Sequence, residues 1–126
     1  MPIQFTIDHK ARHVEAKFDG NLVLKDVEDF CDAVVGADAL PYRKLIDGRT
    51  ASGTYTDADV MALGARMAAY ATTGRRGALA LVPAPDTSLD LADRLLNLGK
   101  DGRPAKSFLS IDDARKWLAA QPETSL

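Results

Sequence analysis

Two histidines, one cysteine and a pair of neighbouring aspartates are the side chains in this sequence with the most obvious capacity for chemistry. His9 and His13 flank a short polar segment, and no Cys, His or carboxylate follows them at a spacing known for metal sites, so two exposed turn histidines are expected. Cys31 falls on the apolar side of a predicted helix, where a buried thiol is the expectation and a nucleophile would need an activating neighbour. Asp112 and Asp113 open another predicted helix, where the helix dipole alone favours acidic residues.

The glycine-rich motifs that bind nucleotide cofactors do not occur in the sequence. Neither G-x-G-x-x-G nor G-x-x-x-x-G-K-[ST] is present. No acid, base and nucleophile can be placed together from the order of the residues. We therefore predict no catalytic residue, no metal and no cofactor.

A polar segment, Gly48–Tyr55, is the strongest candidate for a binding site. It follows a short apolar strand predicted at Arg43–Asp47 and precedes a helix predicted to start at Asp57. In open α/β sheets, ligands bind outside the carboxyl ends of the parallel strands, where helix N-termini point inward. The residues expected at this edge are Arg49, Thr50, Ser52 and Ser110, with the Pro83–Pro85 loop. Such a set would suit an anionic group or the carboxylates of a partner; the alternative is a flexible polar loop whose hydroxyls satisfy backbone groups.

Strands and helices alternate along the chain and predict an α/β fold. Ile3–Asp8 and Arg12–Phe18 alternate apolar with polar residues, which indicates two half-buried antiparallel strands joined by a hairpin turn. Later strands are predicted at Arg43–Asp47, Gly77–Val82 and Ala105–Leu109, and helices at Asp26–Val35, Asp57–Thr73, Ser88–Leu98 and Ile111–Ala120. The expected architecture is a single domain, residues 1–126, with one open mixed sheet of about five strands in ββαβαβαβα order and helices on both faces.

The sequences of two predicted helices indicate how these helices pack. The last one is expected to bury Trp117 against the sheet, because Ile111, Ala114 and Leu118 share its side of the helix. The helix Ser88–Leu98 carries more leucines than one narrow stripe needs. A leucine left outside the core would mark an interface or a ligand groove, and a wide buried face is the alternative.

Composition and charge restrict the classes of partner. The 16 basic and 18 acidic residues give a net charge of -2, which argues against a nucleic-acid partner. No apolar run approaches the roughly 20 residues of a membrane span, and the N-terminus lacks the layout of a signal peptide. One cysteine excludes an internal disulfide and fits a reducing compartment. We therefore expect a cytoplasmic protein without a membrane span.

Two motifs in this element order resemble the SpoIIAA-like branch of the STAS (anti-sigma-factor-antagonist) family. They are KLIDGRT at the third predicted strand and FLSIDDARKWL at the end of the chain, and the resemblance covers nearly the whole chain. It implies a sheet surrounded by helices and a phosphorylated Ser or Thr after the third strand's Asp. Here Asp47 is followed by Gly48 and Arg49, so Thr50 or Ser52 would be the phosphoacceptor.

The resemblance and the missing catalytic set predict the same kind of function. We expect a non-enzymatic, STAS-like regulatory module that works by protein–protein binding, either to a different protein or to a second copy as a homodimer. The alternative is a carrier or sensor of a small apolar or anionic, lipid-like ligand, because the architecture is similar to lipid-carrier α/β folds.

Overall fold

A computed structural model describes residues 2–52, 56–72, 74–85, 97 and 103–122. Within these residues the chain forms one sheet and three helices. The strands are β1 (Ile3–Asp8), β2 (His13–Asn21), β3 (Arg43–Ser52), β4 (Leu79–Val82) and β5 (Ala105–Ser107), and the helices are α1 (Leu24–Gly36), α2 (Asp57–Ala71) and α3 (Ile111–Ala119). The predicted helix Ser88–Leu98 lies outside the described residues, apart from Asn97.

The strands pair in the order in which they occur along the chain, β1-β2-β3-β4-β5. β1 runs antiparallel to β2, and every other neighbouring pair is parallel. Parallel neighbours need crossover connections, and α1 and α2 supply two of them. The prediction of an α/β fold with one mixed sheet of about five strands is therefore confirmed.

Apolar residues on the two faces of the sheet form two separate core clusters. One cluster joins β1 and β2 to α1, and its buried members include Val14, Phe30 and Val34. The other cluster packs α3 against β3 and β4. Its buried members include Leu45 of β3 and Ala114 and Leu118 of α3. Residues two apart on a strand share a face, so this arrangement follows from the alternation of each strand. The helices thus cover both faces.

α2 is tied to α1 by an arginine. Arg66 of α2 donates to the carboxylate of Asp32 at 2.6 Å and to that of Glu28 at 3.0 Å, both of which lie on α1. Val60 and Leu63 of α2 are buried. These contacts place α2 beside α1. No described helix is long and apolar enough to cross a membrane.

Local signals set the helix ends, with one exception. Thr56 caps α2 as predicted, and its Oγ1 accepts a hydrogen bond from the backbone N–H of Asp59 at 3.1 Å. The helix predicted at Asp26–Val35 extends one residue further at this end, because α1 includes Gly36. Asp38 takes the left-handed conformation there (φ 57°), and Ala39 N–H donates back to Val34 C=O.

Three other predictions need correction. β3 continues to Ser52, so the first part of the predicted loop Gly48–Tyr55 is strand; its last three residues lie outside the described residues. β5 ends at Ser107 and does not reach Leu109. Trp117 is only partly buried, because α3 turns Ala114 and Leu118 most directly onto the sheet.

Candidate functional site

The carboxyl edge of the four parallel strands brings together the starts of all three described helices. α1 follows the end of β2, α2 follows β3, and α3 follows β5. The residues before these helices are Val23, Thr56 and Ser110. We use the name carboxyl rim for this edge and its exposed or partly exposed residues, namely Val23, Arg49, Thr50, Ser52, Met61, Leu109 and Ser110.

A two-stranded ribbon extends from this edge. β4 pairs with β3 only as far as Asp47, which lies opposite Val82. β2 and β3 stay paired beyond that point, until Asn21 lies opposite Ser52. The register shifts between Lys17 and Asp19, where β3 carries one extra residue, as in a β-bulge. Arg49, Thr50 and Ser52 therefore lie on an exposed ribbon rather than on a loop.

The guanidinium of Arg49 is held by a carboxylate two residues earlier. Its Nε and one terminal nitrogen donate to the two Asp47 oxygens, each at 2.9 Å, and the Arg49 backbone N–H donates to the same carboxylate at 3.1 Å. The hydrogen bonds from Arg49 lower the pKa of Asp47 despite its partial burial. Arg49 and Asp47 thus present a paired charge, and an anion would have to compete with Asp47.

The hydroxyl of Ser110 has a structural role at the start of α3. Its Oγ accepts from the backbone N–H of Asp113 at 3.3 Å, which satisfies a free donor at the helix N-terminus. Thr50 and Ser52 are both exposed. In the pairing of β2 with β3, Thr50 lies opposite Asp19 and Ser52 lies opposite Asn21. The structure therefore places three of the four predicted residues on one strand, and Ser110 on a helix start at the same edge.

Charged side chains occupy the sheet face next to α3. Arg115 of α3 donates to both carboxylate oxygens of Glu15 on β2, at 2.5 and 3.1 Å. His13 lies 3.7 Å from Glu15 on the same strand. The hydrogen bond from Arg115 lowers the pKa of Glu15, which keeps it ionised. Arg115 and Glu15 form an ion pair that attaches α3 to the sheet.

The remaining candidates for chemistry are also held by neighbours. The Nδ1 of His9 and the hydroxyl of Tyr42 share a hydrogen bond of 2.8 Å, while His13 faces Glu15, so the two histidines do not form a pair. No group of three or more possible metal ligands occurs among the residues that the structure describes. Burial raises the pKa of the Cys31 thiol to about 11, which keeps it protonated at neutral pH.

Exposed apolar side chains on the carboxyl rim were not predicted from the sequence. Leu109 is 97% exposed and Met61 is 74% exposed, and Val23 is exposed as well. Each lies within a few residues of a helix start at this edge. The position of Leu109 directly before the Ser110 cap could have indicated exposure. The predicted strand Ala105–Leu109 instead included Leu109.

A cluster of buried basic residues at the opposite edge was also missed. Lys44 is 5% exposed and Arg76 is 4% exposed. The ammonium of Lys44 donates to the carbonyl oxygens of Leu40 and Tyr42 at 2.5 and 2.7 Å. Burial, followed by the charges of Arg103 and Arg76, lowers the pKa of Lys44 well below its ordinary value.

The backbone beside this cluster is closely packed. A Cβ at Gly77 would lie 2.1 Å from the Tyr42 carbonyl oxygen, so only glycine fits there. Arg103 is partly buried next to the cluster, and loss of solvent lowers its pKa to about 10. The sequence signal for a buried cation was Lys44 itself, which directly precedes the apolar pair Leu45 and Ile46 in the strand.

Comparison of the chain with protein-family models and with curated protein sequences finds no match.

Proposed function

We propose that this protein is a non-enzymatic, STAS-like regulatory module that binds a protein partner through its carboxyl rim. The observation that carries the proposal is the position of the exposed apolar side chains. Leu109, Met61 and Val23 all belong to this edge, where they accompany exposed hydroxyls and a paired charge. Exposed apolar anchors within a polar surround are typical of protein-binding surfaces.

The reactive groups of the described residues support a binding role over a catalytic one. Ser110 caps a helix, Arg49 is paired with Asp47, and the Cys31 thiol has a raised pKa. Ser110 and Arg49 are therefore engaged by neighbouring groups, and the Cys31 thiol stays protonated at neutral pH. A binding module needs only the exposed surface that the rim provides.

Site-specific photo-crosslinking would test the rim as the binding surface. We expect that a benzoylphenylalanine at position 109 captures a specific protein from lysate of the source organism, while the same probe at position 35 does not. Val35 is the matched control because it is also exposed (38%) but lies at the far end of α1. Unlabelled Leu109→Asp/Met61→Asp protein should fail to compete, and Val35→Asp protein should compete like the parent. Equal capture from both positions, or competition by the double variant, would contradict the proposal.

The exposed hydroxyls of the rim are the place where such binding could be regulated. A phosphate on Thr50 or Ser52 would add close to two negative charges next to Arg49. It would draw Arg49 away from Asp47 or repel an acidic partner surface. Thr50→Asp and Ser52→Asp in the same competition assay, with phosphopeptide analysis of protein from the source organism, test this. Unchanged competition and no phosphate would remove the switch and leave the binding proposal intact.

The buried basic cluster supports the alternative function, a carrier or sensor of an anionic small ligand. Lys44 is buried, and the nearby charges of Arg103 and Arg76 disfavour its protonated form, so an anion bound beside it would favour the charged ammonium. Native mass spectrometry of protein purified without denaturation should then show a reproducible bound mass. Lys44→Gln should lose that mass, and Lys10→Gln, an exposed control, should keep it. A clean unliganded spectrum of the parent would count against the alternative.

A further inference from the structure

The two edges of the sheet differ in how they avoid pairing with other chains. β5 is three residues long and carries Lys106, and a short strand with a lysine is a common way to protect an edge. β1 has six residues, Ile3–Asp8, with no lysine, proline or bulge, and its one charged residue is Asp8 at the end. In the part of the chain that the structure describes, β1 pairs with β2 only. Within the described residues, β1 is therefore an edge strand with none of these protective features.

The register shows which backbone groups of β1 point outward. Asp19 N–H donates to Pro2 C=O at 2.8 Å, and Ile3 lies opposite Phe18, so the even-numbered residues of β1 turn their backbone groups toward β2. The N–H and C=O groups of Ile3, Phe5 and Ile7 consequently face away from the sheet. Along the strand, which is about 20 Å long, these outward groups can form hydrogen bonds with a further strand.

We infer that β1 pairs antiparallel with β1 of a second copy of this chain across a twofold axis at Phe5. In this register Phe5 lies opposite Phe5 of the second copy, and Ile3 lies opposite Ile7. All the outward backbone groups of these residues are then paired. A shift of two residues would leave either Ile3 or Ile7 of each copy without a partner in β1, depending on its direction, so this register satisfies the most groups.

The side chains of β1 are self-complementary in the same register. Phe5 is 39% exposed and packs edge-on against Phe30 at a centroid distance of 5.3 Å. Pairing would bring the two Phe5 rings together and extend the aromatic cluster across the twofold axis. On the other face, Gln4 meets Thr6, which places an amide beside a hydroxyl. Asp8 lies opposite Pro2, so no like charges oppose each other. A second copy is therefore the partner that this edge fits.

This pairing uses none of the residues of the carboxyl rim. It therefore stands or falls separately from the proposed partner binding. A contact of six residues per chain is short, and we expect a concentration-dependent equilibrium.

Cysteine pairs on the exposed face of β1 test the register directly. In a Cys31→Ala background, we expect Gln4→Cys and Thr6→Cys proteins to form a disulfide dimer when mixed and oxidised, because residues 4 and 6 of the two copies are opposite each other. Directly opposite residues lie about 4.5–5.5 Å apart at Cα, which a disulfide spans. Each variant alone should not crosslink, because like residues are then offset by about 7–8 Å. Both side chains are exposed, so neither change disturbs the core.

Sedimentation equilibrium supplies the second measurement. The parent should reach twice its chain mass of 13.6 kDa as its concentration rises. Phe5→Lys should stay monomeric with its fold intact by circular dichroism, and Thr6→Lys should still dimerise. A mixture of Phe5→Lys and Phe5→Glu should regain the dimer, because opposite charges then meet at the axis. The inference is overturned by a parent that is monomeric at hundreds of micromolar, by Gln4→Cys alone crosslinking as fast as the mixture, or by a folded Phe5→Lys protein that dimerises like the parent.

Discussion

Arg49, Ser110 and Cys31 each carry a group with a capacity for binding or reaction, and each is held by its surroundings. Arg49 pairs with Asp47, Ser110 accepts a backbone N–H of α3, and burial opposes ionisation of the Cys31 thiol. The type of each residue permits several roles. The neighbours then select one, because a hydrogen bond or a loss of water changes which protonation state is favoured.

The thiol of Cys31 gives a prediction at this scale. Its pKa of about 11, against an ordinary value of 9.0, lowers the thiolate fraction at pH 8 by about 100-fold. We expect iodoacetamide to alkylate the native protein about 100-fold more slowly than the urea-unfolded protein, since the thiolate is the nucleophile. The native rate should keep rising up to about pH 11. A native rate within tenfold of the unfolded rate would show that the thiol is not shielded as the structure indicates.

Among the elements, α3 has the clearest division of faces. Ala114 and Leu118 are buried against β3 and β4, Arg115 reaches Glu15 on β2, and Lys116 is exposed. Trp117 is partly buried beside Phe108, with 5.6 Å between the ring centroids. The helix thus attaches to the sheet through an apolar face, with Ile111 and Trp117 beside the two buried residues, and through one ion pair. Because the ion pair is half-exposed, the apolar contact contributes most of the attachment energy.

Leu118→Ala should show how strongly α3 is attached. We expect the free energy of unfolding to fall by about 2–5 kcal/mol, because the change leaves a cavity in a closely packed site. Lys116→Ala is the control and should stay within about 0.5 kcal/mol of the parent. Trp117→Ala should cost less than the roughly 3–5 kcal/mol expected of a fully buried aromatic side chain. Urea titration measures all three, and a loss below about 1 kcal/mol for Leu118→Ala would mean that α3 is not docked as described.

Over the whole molecule, exposed apolar residues and buried charge lie at opposite ends of the parallel strands. The carboxyl edge carries Leu109 and Met61, and the amino edge carries Lys44, Arg76 and Arg103 under the helix-covered face. Burial of like charges lowers stability unless other interactions offset it. The lowered pKa of Lys44 at this edge links the stability of the molecule to pH.

The pH dependence of this cost follows from the lowered pKa of Lys44. The folded state disfavours the protonated ammonium, so folding is penalised at pH values below the folded-state pKa. The penalty is relieved as the pH rises from that value toward 10.5, the ordinary value. We therefore expect the stability of Lys44→Met relative to the parent to decline as the pH rises toward 10.5. Lys10→Met, an exposed control, should give a flat difference, and parallel curves for Lys44→Met would contradict the prediction.

What the sequence determined by itself depends on interactions between residues close in the chain. The alternation over Ile3–Asp8 indicates a strand because side chains two apart share a face. The hydroxyls of Thr56 and Ser110 mark helix starts because each bonds an N–H three residues later. The strand and helix order then restricted the architecture to a mixed α/β sheet.

The tertiary structure decided what depends on residues far apart in the chain. β3 continues to Ser52 because β2 remains paired beside it, and the polar residues Gly48–Ser52 carry little local strand signal of their own. Lys44, Arg76 and Arg103 come from three separate segments and meet only when the parallel strands align. Such contacts depend on which strands become neighbours. Periodicity within one segment carries no information about that choice.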